Sequence, residues 1–461
     1  MLVLGWALGG GANAAIVLDS LAQAVSCRRP AAAPRSTRSA MPAWRRLAGL
    51  GTVLGTLALA GCGSTSTDSV PAASARTQTA PAAQAAGSVP AQYQSQYATV
   101  QAQSDAFQTM AGSRASAGST TVGVELLAAN GNIGTGLLAS HSISGVETEL
   151  NADQSLGIQG VTVCVSFPLL LPSTPDSSGY LSFYEQVAQQ VRARGMVLSI
   201  EENPIFAGTP LTSLPISYAG LTLTSYAAEE QQEAQIIVNH LQPKYLSLLT
   251  EPDTYTSVLH IDLDTPAAAD EVVTDELAGL NRGTTLVGAG AGTWSSPSID
   301  QSLLTTSIDY LDVHVYPEAP DDLANLGSDV AAAKATGKPL VMDETWLCKD
   351  FTDGSFTGAG ASESGVDGAP NEMKDVSFSF WQPLDETYVA AMVNYVRSQG
   401  FSYMAFFDGS RCFFGYLTWS PTLQSASYQT FSRQYNQMVS ADFASLSVSA
   451  TGTALRQVIA V

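Results

Sequence analysis

From about residue 119 the chain alternates eight times between a short β-branched or aromatic run and a longer stretch of helical periodicity, and this repetition constrains the fold most. The runs are TVGVELL (121–127), GVTVCVSF (160–167), MVLSIEEN (196–203), KYLSLLTE (244–251), TLVGAGAG (285–292), YLDVHVY (310–316), PLVMDET (339–345) and YMAFFD (403–408). Between them, Phe183, Val187 and Val191 recur at i, i+4, i+8 within 181–194, and Ile237 and Leu241 do so above a Glu/Gln face within 226–241. Further helices are expected near 144–156, 266–281, 298–306, 321–336, 384–399 and 425–440. Gly195, Gly283, Gly337 and Gly400 stand where a helix must stop before the next strand. Eight such units predict an α/β fold, a (β/α)8 TIM barrel over 119–445, ahead of an open doubly wound sheet.

What precedes the barrel reads as an export and anchoring segment. The stretch from Met41 has basic Arg45 and Arg46, an apolar run and small residues before a cysteine, the layout of a secretory signal. Leu59, Ala60, Gly61 and Cys62 resemble the lipobox of bacterial lipoproteins, which implies acylation of Cys62 and a lipid anchor in the cell envelope. On this reading 1–61 is upstream sequence and signal peptide with synthesis starting at Met41. Residues 62–88, rich in Ser, Thr, Ala and Pro, form a flexible tether, 89–118 a helical extension, and 446–461 a C-terminal tail. The net charge of −21 repels nucleic acid and anionic lipid, so neither is expected as a partner. A monomer is expected.

In a barrel of this kind the chemistry lies at the C-terminal ends of the strands. The fourth strand ends in Thr250, Glu251, Pro252 and Asp253, the sixth in His314 and Tyr316, and the seventh in Glu344 and Trp346. This set, in this strand order, resembles clan A of the glycoside hydrolases, (β/α)8 enzymes that retain β-configuration. The resemblance implies an acid/base Glu251, a nucleophile Glu344, Tyr316 hydrogen-bonded to that nucleophile, and His314 and Thr250 close to a carbohydrate substrate. It implies no cofactor.

Glycoside cleavage passes through an oxocarbenium-like transition state, so one carboxylic acid must protonate the leaving oxygen while a carboxylate meets the anomeric carbon. Repulsion between the pair and an aromatic, apolar surround would raise the pKa of Glu251. Trp294 and Trp346 offer flat faces for a sugar, and Glu202 and Asn203, after the third strand, are expected to face the substrate, with Glu202 as reserve acid. Glu201, Asp253 and Asp408 are competing carboxylates, and Asp343 is expected on the opposite face from Glu344, toward the helices.

The sequence departs from the family at three strand ends: Thr250 stands where Asn is usual, the second strand ends VSFP without an Arg, and the eighth has Phe406 and Phe407 in place of a Trp. A catalytically silent barrel that binds glycans at the cell surface is therefore the alternative reading. No His/Cys cluster has metal-ligand spacing, and no Gly-rich dinucleotide or phosphate motif is present. Cys348 and Cys412 follow neighbouring strands, so a disulfide between them is expected, while Cys164 reads as a buried thiol. The Gly/Ser/Asp-rich stretch 347–383 is expected to form a rim or lid of the cleft.

Overall fold

A computed structural model describes residues 87–112, 119–207, 212, 214–317, 320–349, 377–407 and 409–461. The segment before residue 87, including Cys62, lies outside the described residues, as do Asp408 and most of the expected lid, 350–376. Among the described residues no helix is long and apolar enough to cross a membrane.

Eight parallel strands close into a barrel in sequence order, β1 Thr121–Glu125, β2 Gly160–Phe167, β3 Val197–Pro204, β4 Tyr245–Ser247, β5 Leu286–Gly292, β6 Tyr310–His314, β7 Leu340–Met342 and β8 Tyr403–Phe406. Helix α1 Gln94–Ala111 precedes β1, and α2 Ser142–Leu156, α3 Ser177–Ala193 and α4 Leu223–His240 follow β1, β2 and β3. After β4 come α5 Pro252–Leu259 and α6 Pro266–Gly279, then α7 Pro297–Leu303 after β5, α8 Pro320–Thr336 after β6 and α9 Gln382–Gln399 before β8. The chain closes with single turns Gly409–Cys412 and Pro421–Gln424, then α10 Tyr428–Ser445 and α11 Ala450–Ile459. The stretch expected as a tail is thus mostly helix, tied to α9 by Arg397, whose Nη1 and Nη2 donate to the carbonyls of Val458 and Ile459 at 2.7 and 3.1 Å.

Local sequence explains the elements. Phe183, Val187 and Val191 form the buried stripe of α3. Thr222 and Ser225 cap α4 reciprocally, and Pro252, Pro266 and Pro297 occupy first-turn positions where a missing N–H costs nothing. Helix α1 is held by rings: Tyr97 stacks on Trp381 at 5.4 Å, and Phe107 packs on Tyr388 and Tyr395 at 5.4 and 5.6 Å.

The barrel interior is layered from bottom to mouth. Tyr245, Tyr310 and Tyr403 fill the bottom, with ring centroids 5.5 and 5.7 Å from Tyr245. Glycine makes room for them: a Cβ at Gly288 would overlap the Tyr310 ring, and one at Gly123 the Tyr403 hydroxyl. Above them Ser247 Oγ lies 2.7 Å from Asp312 Oδ2 and 2.8 Å from Asp343 Oδ2, while Ser199 and Thr162 donate to Asp343 Oδ1 at 2.6 and 3.1 Å. Branched apolar residues usually fill this space; here it is hydroxyls and carboxyls.

Asp343 is therefore inside the barrel and not on the helix side as expected. The reason is parity: Val341 packs among the inward Tyr245, Tyr310 and Tyr403, so Asp343, two residues on, shares their face, and its N–H donates at 3.0 Å to Asp312 Oδ1. Strict alternation lapses at Glu344, which turns to the pocket as well. The expected disulfide is also not formed. Cys412 is a buried thiol whose Sγ lies 4.0 Å from Tyr435 Oη. Cys164 is buried as expected.

Candidate active site

The third layer, at the mouth, is a pocket lined by Asn130, Glu201, Asn203, Phe206, Thr250, Glu251, Thr254, Tyr255, His314, Tyr316, Glu344 and Phe407. Glu251 is brought there by the Glu-Pro step: Pro252 opens α5 directly after the β4 segment, leaving Glu251 as the junction residue. Thr254 Oγ1 donates to its Oε2 at 2.7 Å. Tyr316 Oη donates to Glu344 Oε2 at 2.8 Å.

His314 links the groups. Its Nδ1 lies 3.0 Å from Glu251 Oε1 and 3.6 Å from Glu344 Oε2, and its Nε2 lies 3.5 Å from Glu201 Oε2 and 3.9 Å from Asp312 Oδ2. Burial disfavours charge on His314, but Glu344, the hydrogen bond to Glu251 and Asp312 outweigh it and raise its pKa to about 10. It is thus an imidazolium at neutral pH, hydrogen-bonded to Glu251 through Nδ1 and in ion-pair range of Glu201 through Nε2. The surround of Glu251 is accordingly not the apolar one expected from sequence. Glu344 is pushed up by burial and by Glu251, and down by His314, Tyr316 and Glu201; the balance leaves it above the ordinary carboxylate value.

One atom each of Glu201, His314 and Glu344 lies within 4.8 Å of the others, the closeness a small cation needs. His314 does not fit such a role, since it meets carboxyl oxygens with both nitrogens and holds its proton firmly.

Of the residues expected at the site, Glu251, Glu344, His314, Tyr316, Thr250 and Asn203 are brought together. Three are not. Glu202 points away from the pocket and is buried against α4 and α6 among Glu230, Glu233 and Glu276. Trp346 is 1% exposed, packed at 5.9 Å on both Phe406 and Phe413, and offers no face to a sugar. Trp294 is half-buried beside the pocket, its Nε1 donating to Asp253 Oδ2 at 3.0 Å and its ring 5.8 Å from Tyr316. Sequence reasoning passed over Glu125, whose Oε1 accepts from the lining Asn130 at 2.9 Å, and favoured Glu202 over Glu201. The signal for Glu201 was present: Leu198 and Ile200 are the apolar, helix-facing residues of β3, so Ser199, Glu201 and Asn203 must face inward.

No protein-family model and no curated protein matches the sequence. Solved structures similar to this chain include an exo-β-1,4-mannosidase from Opitutaceae bacterium strain TAV5, at 16% identity and a TM-score of 0.41, covering 71% of this chain and 60% of that one. A GH5_18 protein from Bifidobacterium longum subsp. longum, in complex with Manβ1-4GlcNAc, is similar at 12% identity and a TM-score of 0.46, covering 74% of this chain and 78% of that one. A GH30 endoxylanase from Clostridium papyrosolvens is similar at 11% identity and a TM-score of 0.39, over 75% and 72% of the two chains.

Proposed function

We propose that the protein is a retaining glycoside hydrolase that cleaves β-glycosidic bonds of an oligo- or polysaccharide, with Glu251 as acid/base and Glu344 as nucleophile. One observation carries the reading: the carboxyls from the ends of β4 and β7 meet the same nitrogen of His314, so their nearest oxygens are at most about 6.6 Å apart, the two contacts laid end to end. That bound suits the roughly 5–5.5 Å spacing of double displacement better than the roughly 6.5–9.5 Å that leaves room for a water in inversion.

In the first step Glu251 gives its proton to the glycosidic oxygen while a Glu344 oxygen bonds to the anomeric carbon and the C–O bond breaks. In the second, Glu251 takes a proton from water, which attacks the same carbon and frees Glu344. Tyr316 orients Glu344 and His314 balances charge between the carboxyls. Glu344→Ala should abolish turnover of every glycoside. Glu251→Ala should still form the glycosyl-enzyme from substrates whose leaving group needs no proton, and azide should restore its turnover. Azide rescue of Glu344→Ala with a dead Glu251→Ala would reverse the roles, and binding without cleavage by the wild type would favour the silent glycan-binding barrel.

Export and lipid anchoring through Cys62 belong to the same proposal, supported by the lipobox-like sequence. Cys62→Ser should release the protein from membranes, since acyl chains contribute about 0.8 kcal/mol per buried methylene; unchanged partitioning would reject the anchor.

A further inference from the structure

Two of the three pocket carboxyls have a role in the reaction above, and Glu201 is the third. Its position follows from register. Cys164 pairs with Glu201 and Ser166 with Asn203 across β2 and β3, so the β2 positions beside them carry a thiol and a hydroxyl, and the longer β3 side chains fill the space there. Glu201 is fully buried. Its Oε1 accepts from Asn203 Nδ2 at 3.2 Å, and Ser166 Oγ donates to Asn203 Oδ1 at 3.0 Å. Its Oε2 receives no hydrogen bond from a donor among the described residues. An oxygen of Glu201 and one of Glu344 lie within 4.8 Å of each other, and each carboxyl shifts the other's pKa, that of Glu201 up and that of Glu344 down.

A buried oxygen that meets another carboxyl and lacks a donor is satisfied as a hydroxyl, which donates. The proton belongs on Glu201. Glu344 has the Tyr316 hydroxyl at 2.8 Å and the His314 cation at 3.6 Å to favour its charged form. Glu201 is instead faced by Glu344 and Asp343 from the β7 end, Glu125 from β1 and Cys164 from β2, with His314, Nε2 at 3.5 Å, the one cation facing it among the described residues. Burial and these acidic neighbours hold its pKa well above the usual carboxyl range.

We propose that Glu201 is a positioning residue of the reaction centre, a neutral carboxylic acid that donates a hydrogen bond to the Glu344 carboxylate and holds it toward the anomeric carbon. The inference rests on Glu344 being the nucleophile. When the glycosyl-enzyme forms, Glu344 gives up its negative charge to the new C–O bond and Glu201 keeps its proton. When Glu201 ionises, the hydrogen bond is lost and an anion stands beside the nucleophile.

The test uses an activated aryl β-glycoside whose leaving group departs without protonation, so that the ionisation of Glu251 does not enter kcat/KM. The wild type should then still lose kcat/KM at alkaline pH. Glu201→Gln, which keeps an N–H donor and cannot ionise, should stay within about tenfold of the wild type at low pH and move that limb upward. Glu201→Ala should lose about 10²-fold, the effect of removing one preorganised donor. A limb at its wild-type position in Glu201→Gln, or full activity in Glu201→Ala, would overturn the role. Infrared difference spectroscopy at pH 7 reads the proton without turnover: the wild type should show a neutral carboxyl C=O band that Glu201→Gln lacks. Absence of that band overturns the inference alone. A band without turnover of any glycoside by the wild type overturns the glycosidase reading and the positioning role with it, while leaving the proton on Glu201.

Discussion

Replacing Glu233 by Gln should stabilise the protein increasingly as pH rises. Glu233, Glu230, Glu202 and Glu276 are all buried between β3, α4 and α6; Glu233 and Glu276 act on Glu202, and Glu202, Glu276 and Glu233 act on Glu230. Burial raises Glu233 from 4.5 to about 8, and the Leu170 N–H, 2.6 Å from its Oε1, only partly opposes this. The folded state therefore binds more protons than the unfolded chain between these two values. Its contribution is fully present below the unfolded pKa and is lost as pH rises toward the folded one. At about 1.4 kcal/mol per pH unit, this one group removes on the order of 4–5 kcal/mol between pH 4.5 and 8. A Gln at the position can still accept from Leu170 N–H and does not ionise, so its constant offset is separable from its slope. The assay is urea unfolding of wild type and Glu233→Gln at several pH values from 4.5 to 8. The gap in stability should widen toward alkaline pH; parallel stability curves would refute the claim that this cluster is protonated in the fold.

Three further outcomes are expected. Tyr316→Phe removes the donor to Glu344 and should lower kcat about 10²-fold with little change in unfolding free energy, checked by kinetics beside thermal melts. Asp385→Asn should destabilise by about 3–5 kcal/mol in denaturant unfolding, because it breaks the buried pair with Lys349, 2.6 Å away, and Lys349 has no other ion-pair partner among the described residues. Trp346→Ala should cost about 3–5 kcal/mol of stability as a core truncation, whereas Trp294→Ala, at a half-buried ring, should leave the melting temperature nearly unchanged and act on substrate binding if at all.

The barrel was legible because it is written in local periodicities. All eight strands lie within the runs read from the sequence or one residue beyond them, as with β3, which ends at Pro204 where the run stops at Asn203. A β-branched run pairs in parallel and a 3.6-residue stripe packs over it wherever the chain takes them, so both survive without knowledge of partners. The strand ends followed, and with them Glu251, His314, Tyr316 and Glu344. What sequence could not decide depends on distant groups. Asp343 and Glu344, neighbours in sequence, both face the interior, Asp343 bonded through its N–H to Asp312, 31 residues earlier, and Glu344 through a carboxyl oxygen to Tyr316. Trp346 is core because Phe406 and Phe413 close over it. Cys412 lies against Tyr435 and forms no bond to Cys348. The choice between Glu201 and Glu202 was readable from the parity of Leu198 and Ile200, yet the protonation of Glu201 and the charge on His314 were not. A carboxyl or an imidazole takes its state from the other charges and the burial around it, and only the closed barrel brings β1, β3, β4, β6 and β7 close enough to set them.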